Sequence, residues 1–336
     1  MADTKIEWTD KTWNPIVGCS KVSAGCANCY AERMANRLAC MGQMSYNKVV
    51  LQGRPEWTGK TAFVESALEQ PLHWKKPQLV FVCSMGDLFH ESVPFEWIDK
   101  VFAVMALCRQ HTFQVLTKRP ERMKEYICEM SENGKWDACS VDPETLDWSM
   151  TQSGTHEFAN YIRRPFPLPN VWIGVTAENQ EQADKRIPIL LQIPAAKRFV
   201  SVEPMLSAVD LTGWVHRTPG YNKQDEVYKC TKCGFTGTGQ CFTKGPDISS
   251  EYTSQCPSCF IDVDADNALI EIGNLDWIIC GGETGPNARP MNPDWARDLQ
   301  DQCKEANVPF FFKKLNSKGD IPEDLNIRQF PGKAGE

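Results

Sequence analysis

The sequence lacks the apolar run of about 20 residues that a membrane-spanning helix needs. It has only five histidines, and its net charge of −7 argues against a generally basic nucleic-acid-binding protein. Cysteine is plentiful instead, with 15 residues. Because the chain is long, no secretion signal precedes its core and the cysteines group at metal-binding spacings, we expect a reducing cytoplasmic setting and no membrane partner.

The first cysteine group lies in a loop that leads into a predicted helix. Cys19, Cys26 and Cys29 form a C-x6-C-x2-C run. The residues that follow predict one apolar helix face: Ala31, Met34, Ala35 and Leu38. No histidine lies near this run, and Cys40 would lie about 16 Å from Cys29 along a continuous helix. Three thiolates without an evident fourth ligand favour an iron–sulfur cluster with one open iron, while structural zinc and plain thiols stay as alternatives.

A family resemblance adds to this interpretation of the loop. The stretch GCSKVSAGCANCYAERMA resembles the signature of the phage-associated three-cysteine-motif proteins. These resemble radical S-adenosylmethionine (SAM) enzymes, in which three cysteines hold a 4Fe-4S cluster and SAM chelates the fourth iron. The usual spacing there is C-x3-C-x2-C, so the second gap matches and the first is longer here. The resemblance implies that Cys19, Cys26 and Cys29 hold a 4Fe-4S cluster and that SAM is a cofactor.

The same resemblance implies an activity and partners. It predicts an enzyme that cleaves SAM to a 5′-deoxyadenosyl radical and abstracts hydrogen from a substrate, with a reductant such as flavodoxin or ferredoxin. The nearest enzymatic analogy, spore photoproduct lyase, indicates a nucleotide or nucleic-acid substrate in modification or repair. Two other functions stay open. One is a zinc-stabilised nucleic-acid-binding protein without catalysis, and the other is an iron–sulfur redox subunit that serves a protein partner.

Beyond residue 78, short apolar runs alternate with helical patterns. Strands are predicted at 79–83, 112–117, 171–176, 198–202, 275–280 and 309–315, after a short one before Cys19. Helices are predicted at 95–109, 120–130, 180–192 and 293–307. Residues 131–169 lack periodicity and are interpreted as an insertion or long loop. The alternation predicts parallel βαβ units in an α/β fold, a full or partial (β/α) TIM-like barrel of the radical SAM type, with a doubly wound open sheet as the alternative.

Reactive side chains and paired glycines follow several predicted strands. Because the carboxyl ends of barrel strands converge, we expect one shared site there. The candidate cofactor-binding residues are Ser84, Asp87, Lys118, Glu178, Glu203, Gly281, Gly282, Glu283 and Arg289. By the resemblance, Glu203, Glu283 and Lys118 position SAM, and no catalytic residue is assigned. A salt bridge between loops is the simpler explanation of Glu203, and a tight turn is that of the two glycines.

A second cysteine group interrupts the alternation. Cys230 and Cys233, with Cys256 and Cys259, form two CxxC motifs typical of a zinc ribbon, which predicts a Zn²⁺ site with four cysteine ligands. A rubredoxin-like iron site is the alternative. We therefore predict a barrel from 1–215 and 268–320 with its cluster-binding loop at 18–30. The zinc ribbon is inserted at 216–267, and a polar, exposed tail follows at 321–336.

Overall fold

The structure is a computed structural model. It describes residues 4, 6–51, 53–129, 138–141, 143–144, 146, 148–151, 162–165, 167–215, 227–230, 236–238, 244–246, 252–254, 269–272, 275–316 and 321–332. The described residues fall into two compact units, one from 1–213 with 275–336 and the other from 214–274.

A seven-stranded parallel sheet forms the centre of the first unit. Its strands are β1 (Lys11–Trp13), β2 (Leu79–Val82), β3 (Thr112–Thr117), β4 (Val171–Thr176), β5 (Lys197–Val202), β6 (Trp277–Cys280) and β7 (Phe310–Phe312). Each strand is hydrogen-bonded to the next one in chain order, and every pairing is parallel. A doubly wound sheet reverses its strand order at a switch point, so this order excludes that alternative. The sheet curls into a half-barrel, in a mixed α/β fold.

The predicted alternation of strands and helices is confirmed in this unit. The strands predicted at 112–117 and 171–176 match β3 and β4 at both ends. The main helices are α1 (Tyr30–Cys40), α2 (Phe95–Leu107), α3 (Pro120–Lys124), α4 (Gln180–Leu190) and α5 (Pro293–Glu305). Shorter helices span Glu65–Leu68 and Thr212–Val215. The predicted helix at 120–130 divides into α3 and a π-helical turn at Glu125–Glu129.

The segment predicted as an insertion or long loop at 131–169 contains a small antiparallel sheet. Its strands are Trp148–Thr151, Ala138–Val141 and Ile162–Pro165, in that order across the sheet. The sequence gives no alternating pattern over strands of four residues, which is why periodicity missed them. A further two-stranded sheet joins Ile16–Val17 to Ala62–Phe63, beside the cysteine loop.

Aromatic side chains from neighbouring strands fill the curled sheet. The cluster consists of Trp8, Phe81, Trp172, Phe199, Trp277, Ile279 and Phe311. Gly174 makes room for it, because a Cβ there would lie 2.7 Å from the Phe199 ring. Two residues further along the same strand faces come Thr176 and Ser201, which are small, polar and buried. The side chains on this face therefore change from aromatic to small and polar toward the carboxyl ends of the strands.

Residues near the end of the chain differ from the predicted exposed tail. Phe312 donates its N–H to the Ile327 carbonyl, and the indole of Trp277 donates to the Gln329 carbonyl at 2.9 Å. Leu325 is fully buried. Residues 321–332 thus pack on β6 and β7, since apolar residues spaced among the polar ones find partners on the last strand.

The second unit is described in two small antiparallel sheets. One has strands Thr236–Thr238, Val227–Cys230 and Leu269–Ile272, in that order, and the other pairs Lys244–Pro246 with Tyr252–Ser254. Cys230 ends a strand, but Cys233, Cys256 and Cys259 lie outside the described residues. The zinc-ribbon hypothesis therefore stays a prediction.

No helix among the described residues combines the length and apolarity that crossing a membrane requires.

Candidate functional site

A pocket of about 220 Å³ opens at the carboxyl ends of the parallel strands. Cys19, Cys26 and Cys29 all line it. So do residues that follow β2, β3, β5, β6 and β7: Ser84, Asp87, Lys118, Arg119, Glu203, Gly282, Glu283 and Lys313. The pocket thus joins the cysteine loop to the strand ends, as parallel strands of one curled sheet require.

The three cysteines are half-buried free thiols that reach the pocket from different parts of the loop. Cys29 is the N-cap residue of α1, where the positive end of the helix dipole favours a thiolate. No three Cys, His, Asp or Glu side chains within the described ranges converge closely enough to hold a single metal ion.

A fourth thiol also lines the pocket. Cys83 follows β2, is 4% exposed and has a positive φ of 57°. Its sequence spacing indicates no metal site, and burial as a small apolar residue is the usual state of such a cysteine. The structure agrees that Cys83 is buried and adds that it faces the pocket. Cys40, in contrast, is exposed at the far end of α1.

Glu178 is one of the groups that hold the cysteine loop in place. It is fully buried, forms an ion pair with Arg186 at 2.9 Å and accepts a hydrogen bond from the Gly25 N–H at 3.0 Å. Burial opposes its charge, but Lys118, Ser23 and Arg186 together hold the pKa of the Glu178 carboxyl below its ordinary value. A charged Glu178 therefore anchors the loop between Cys19 and Cys26 from the end of β4.

A second anchor comes from the segment after β6. Glu283 accepts from Asn28 Nδ2 at 2.8 Å and forms an ion pair with Arg289. Arg289 also donates to the Ala24 carbonyl at 3.0 Å. Burial raises the pKa of Glu283, but hydrogen bonds from Arg289 outweigh it and lower the pKa to about 2. Glu283 and Arg289 therefore act together on the cysteine loop.

Arg119 is the third anchor and the one nearest to a thiol. Its guanidinium donates to Asp87 at 3.0 Å, to Glu91 at 2.7 Å and to the Ser20 hydroxyl at 2.7 Å. It also lies 3.6 Å from Cys19 Sγ. Asp87 and Arg119 are both under 10% exposed, so their ion pair is shielded from water. The pair fixes the first cysteine against the ends of β2 and β3.

The remaining charged residues of the pocket, Glu203, Lys313 and Lys118, do not contact the cysteine loop through the hydrogen bonds described above. Lys313 forms an ion pair with Glu203 across the ends of β5 and β7. Lys118 has no ion-pair partner within 4.0 Å among the described residues, although its charge acts on Glu178. Lys118 is therefore the pocket cation best able to bind an anionic group of a ligand.

Burial controls the ionisation of the thiols. It raises the pKa of Cys19 to about 12, with Asp87 adding to the effect and Arg119 opposing it. It also raises the pKa of Cys29, while the Glu32 and Ala31 amides at the start of α1 oppose the rise. Burial therefore favours the neutral thiol form of both Cys19 and Cys29.

The structure brings together most of the predicted site residues and separates their roles. Ser84, Asp87, Lys118, Glu203 and Glu283 line the pocket with Gly282, whereas Gly281, Glu178 and Arg289 do not. A Cβ at Gly282 would overlap the Leu315 carbonyl oxygen, so this glycine is needed for packing against the neighbouring chain segment. Sequence reasoning missed Ser20 and Asn28, which lie inside the motif itself, and His90, which belongs to no motif.

The fold and this site define the chain as an α/β half-barrel protein with a thiol-lined pocket at the carboxyl ends of its strands. Within that class it belongs to the family described as protein of unknown function (DUF5131), whose family model matches residues 3–327. Searches of curated proteins and of solved structures gave no match to this chain.

Proposed function

We propose that this protein is a radical SAM-like iron–sulfur enzyme in which Cys19, Cys26 and Cys29 hold a 4Fe-4S cluster. One observation carries the proposal: the three thiols of the C-x6-C-x2-C run line a single pocket at the carboxyl ends of a singly wound parallel half-barrel. Active sites of (β/α) barrels lie at that edge of the sheet. We also propose that the half-barrel is a partial barrel of the radical SAM type.

The donor set fits such a group. Thiolates are the ligands that iron–sulfur clusters use, and three of them leave one iron open. Arg119, 3.6 Å from Cys19 Sγ, can donate to a ligand sulfur and offset its negative charge.

The residues of the pocket then bind and orient SAM. A bound cluster would supply the electron for reductive cleavage of SAM, and with it the capacity for radical chemistry on a substrate. Lys118, which has no ion-pair partner among the described residues, would bind the carboxylate of SAM, and Glu203 would accept from its amino group or ribose hydroxyls. Three further residues act indirectly, because they keep the cysteine loop in position: Glu178, Glu283 and Arg289. A nucleotide or nucleic acid is the proposed substrate class, by analogy.

The test is anaerobic purification with metal analysis, followed by electron paramagnetic resonance of the reduced protein with and without SAM. We expect about four irons per chain, with a further zinc if the second cysteine group is a ribbon, and a spectrum that SAM changes. Lys118→Gln should weaken the SAM-induced change while leaving the iron content intact. About two zincs and no iron would instead support a zinc-stabilised nucleic-acid-binding protein.

Single cysteine variants sharpen the test. Alanine at Cys19, Cys26 or Cys29 should each lower the iron content, whereas Cys40→Ala, at an exposed thiol, is the matched control and should retain it. Cys83→Ala tests the remaining alternative, an iron–sulfur redox subunit whose cluster has four protein ligands. Iron loss in that variant, with no response to SAM in the parent protein, would indicate four protein ligands and a redox subunit.

A further inference from the structure

One face of α1 is apolar and exposed. Tyr30, Met34 and Met41 are 47%, 41% and 67% exposed, and with the exposed Arg37 they follow the helical spacing i, i+4, i+7 and i+11. We refer to these four residues as the α1 face. The helix buries its other side through Ala31, Ala35 and Ala39. Large apolar side chains at helical spacing in water mark an interaction site more often than isolated ones do.

The α1 face begins at the pocket. Tyr30 lines the pocket and donates its hydroxyl to the Ser84 carbonyl at 2.7 Å. Val22, in the cysteine loop, also lines the pocket and is 46% exposed. Since α1 has 11 residues, its face extends about 16 Å from the rim of the pocket. A molecule bound along it lies within reach of the cysteine loop.

The chain segment that carries this face has a charge opposite to that of the whole protein. Residues 19–61 contain six basic and two acidic residues, whereas the chain as a whole has a net charge of −7. Of the two acidic residues, Glu32 is buried and paired with Lys21 at 2.9 Å. Arg37 is exposed, and Arg33, one turn earlier, donates to the Thr284 carbonyl. The segment that carries the α1 face therefore complements an acidic partner.

The side chains favour a protein over a nucleic acid. Methionine and arginine are enriched in protein–protein interfaces, and flexible methionines adapt to an apolar partner surface. Nucleic acids are bound through aromatic stacking platforms, but Tyr30 is the one aromatic residue of the α1 face and its hydroxyl is already bonded. An apolar centre beside basic residues suits a protein with carboxylates around an apolar patch.

We propose that the α1 face is the docking surface for a small acidic redox protein. The role of that partner rests on the proposed function, which requires a reductant, but the docking geometry does not. The partner presents carboxylates to Arg37 and an apolar patch to Met34 and Met41. Its position at the rim of the pocket places it beside the cysteine loop.

The test measures binding of purified flavodoxin to the full-length protein, without turnover, at low and high salt. Met34→Glu and Arg37→Glu should each weaken binding about tenfold or more, and the loss for Arg37→Glu should shrink as salt rises. Leu72→Glu and Arg109→Glu are matched controls, since both residues are exposed and lie outside the α1 face. Both controls should bind as the parent protein does.

Other outcomes overturn the inference. It fails if flavodoxin does not bind, or if all four variants bind equally. It also fails if a single-stranded DNA oligonucleotide binds this face more tightly and displaces flavodoxin. Iron analysis of the same samples separates the two proposals. A zinc-only protein that still binds flavodoxin through Met34 and Arg37 would refute the enzyme proposal and uphold the docking surface.

Discussion

The two ends of the half-barrel use polar side chains in different ways. At the amino ends of the strands, polar side chains bond mainly to backbone. Asn170 donates to the carbonyls of Met105, Cys108 and His111, and Asp10 accepts from the Leu79 N–H. These bonds fasten strands and helix ends together, which is a structural role.

At the carboxyl ends, charged side chains pair with each other and with the cysteine loop. Asp87 with Arg119, Glu178 with Arg186, and Glu283 with Arg289 are ion pairs, and each also bonds to the loop or lies beside one of its thiols. Buried ion pairs are costly to desolvate and seldom improve stability over apolar packing. Two of these pairs, Asp87 with Arg119 and Glu178 with Arg186, are buried, and their contacts with the loop indicate a role in positioning it.

The largest expected effect breaks an anchor at the carboxyl end. Glu178→Ala leaves Arg186 as an unpaired buried charge and removes the acceptor of the Gly25 N–H, so the free energy of unfolding should fall by about 3–5 kcal/mol. Urea denaturation at neutral pH measures it. Glu181→Ala, which removes an exposed carboxylate in the first turn of α4, should change stability by under about 0.5 kcal/mol. Similar losses in both variants would contradict the assignment of Glu178 as an anchor.

A variant at the amino end should destabilise the fold without disturbing the loop. Asn170→Ala removes three hydrogen bonds to carbonyl groups, and a loss of about 1–3 kcal/mol in unfolding free energy is expected. The alkylation rate of Cys26 in the metal-free native protein should stay at the parent value. Faster alkylation in this variant would show that the amino and carboxyl ends of the half-barrel are coupled. Their polar side chains would then not have separate roles.

The smallest expected effect concerns pH. Because Arg289 lowers the pKa of Glu283 to about 2 from 4.5, the charged form stabilises the fold at neutral pH, and this contribution is lost as the pH falls from about 5 toward 2. Glu283→Gln should therefore lower stability at pH 7, on the order of 1 kcal/mol. The difference from the parent should narrow in acid. Urea midpoints measured across this range provide the check, and a difference independent of pH would refute the assigned ion pair.

Much of the fold could be predicted from the sequence, because it depends on local patterns. Apolar runs with helical segments between them placed β3 and β4 at their observed ends. The rule that carboxyl ends converge predicted that Asp87, Lys118 and Glu203 share a site, and all three line the pocket. Short strands such as Ala138–Val141 were missed because four residues carry too little periodicity.

The roles within the site were harder to predict. Met34 was expected on the buried face of its helix, but Ala31, Ala35 and Ala39 form that face and Met34 is exposed. Apolar spacing of three and four residues fits two overlapping faces, and only the packing partner selects one. Glu178 was expected to bind a cofactor, yet its structural partners are Arg186 and Gly25.

By itself the sequence determined the alternating α/β order, the strand ends that carry polar residues, and the spacing of three thiols before a helix. Only the tertiary structure decided that those thiols share a pocket with Cys83, that three ion pairs hold their loop, and that one methionine-bearing helix face is left uncovered. The physical reason is distance along the chain. Local patterns reflect backbone periods of 2 and 3.6 residues, whereas Glu178 meets Gly25 from 153 positions away, through a contact that exists only once the sheet has curled.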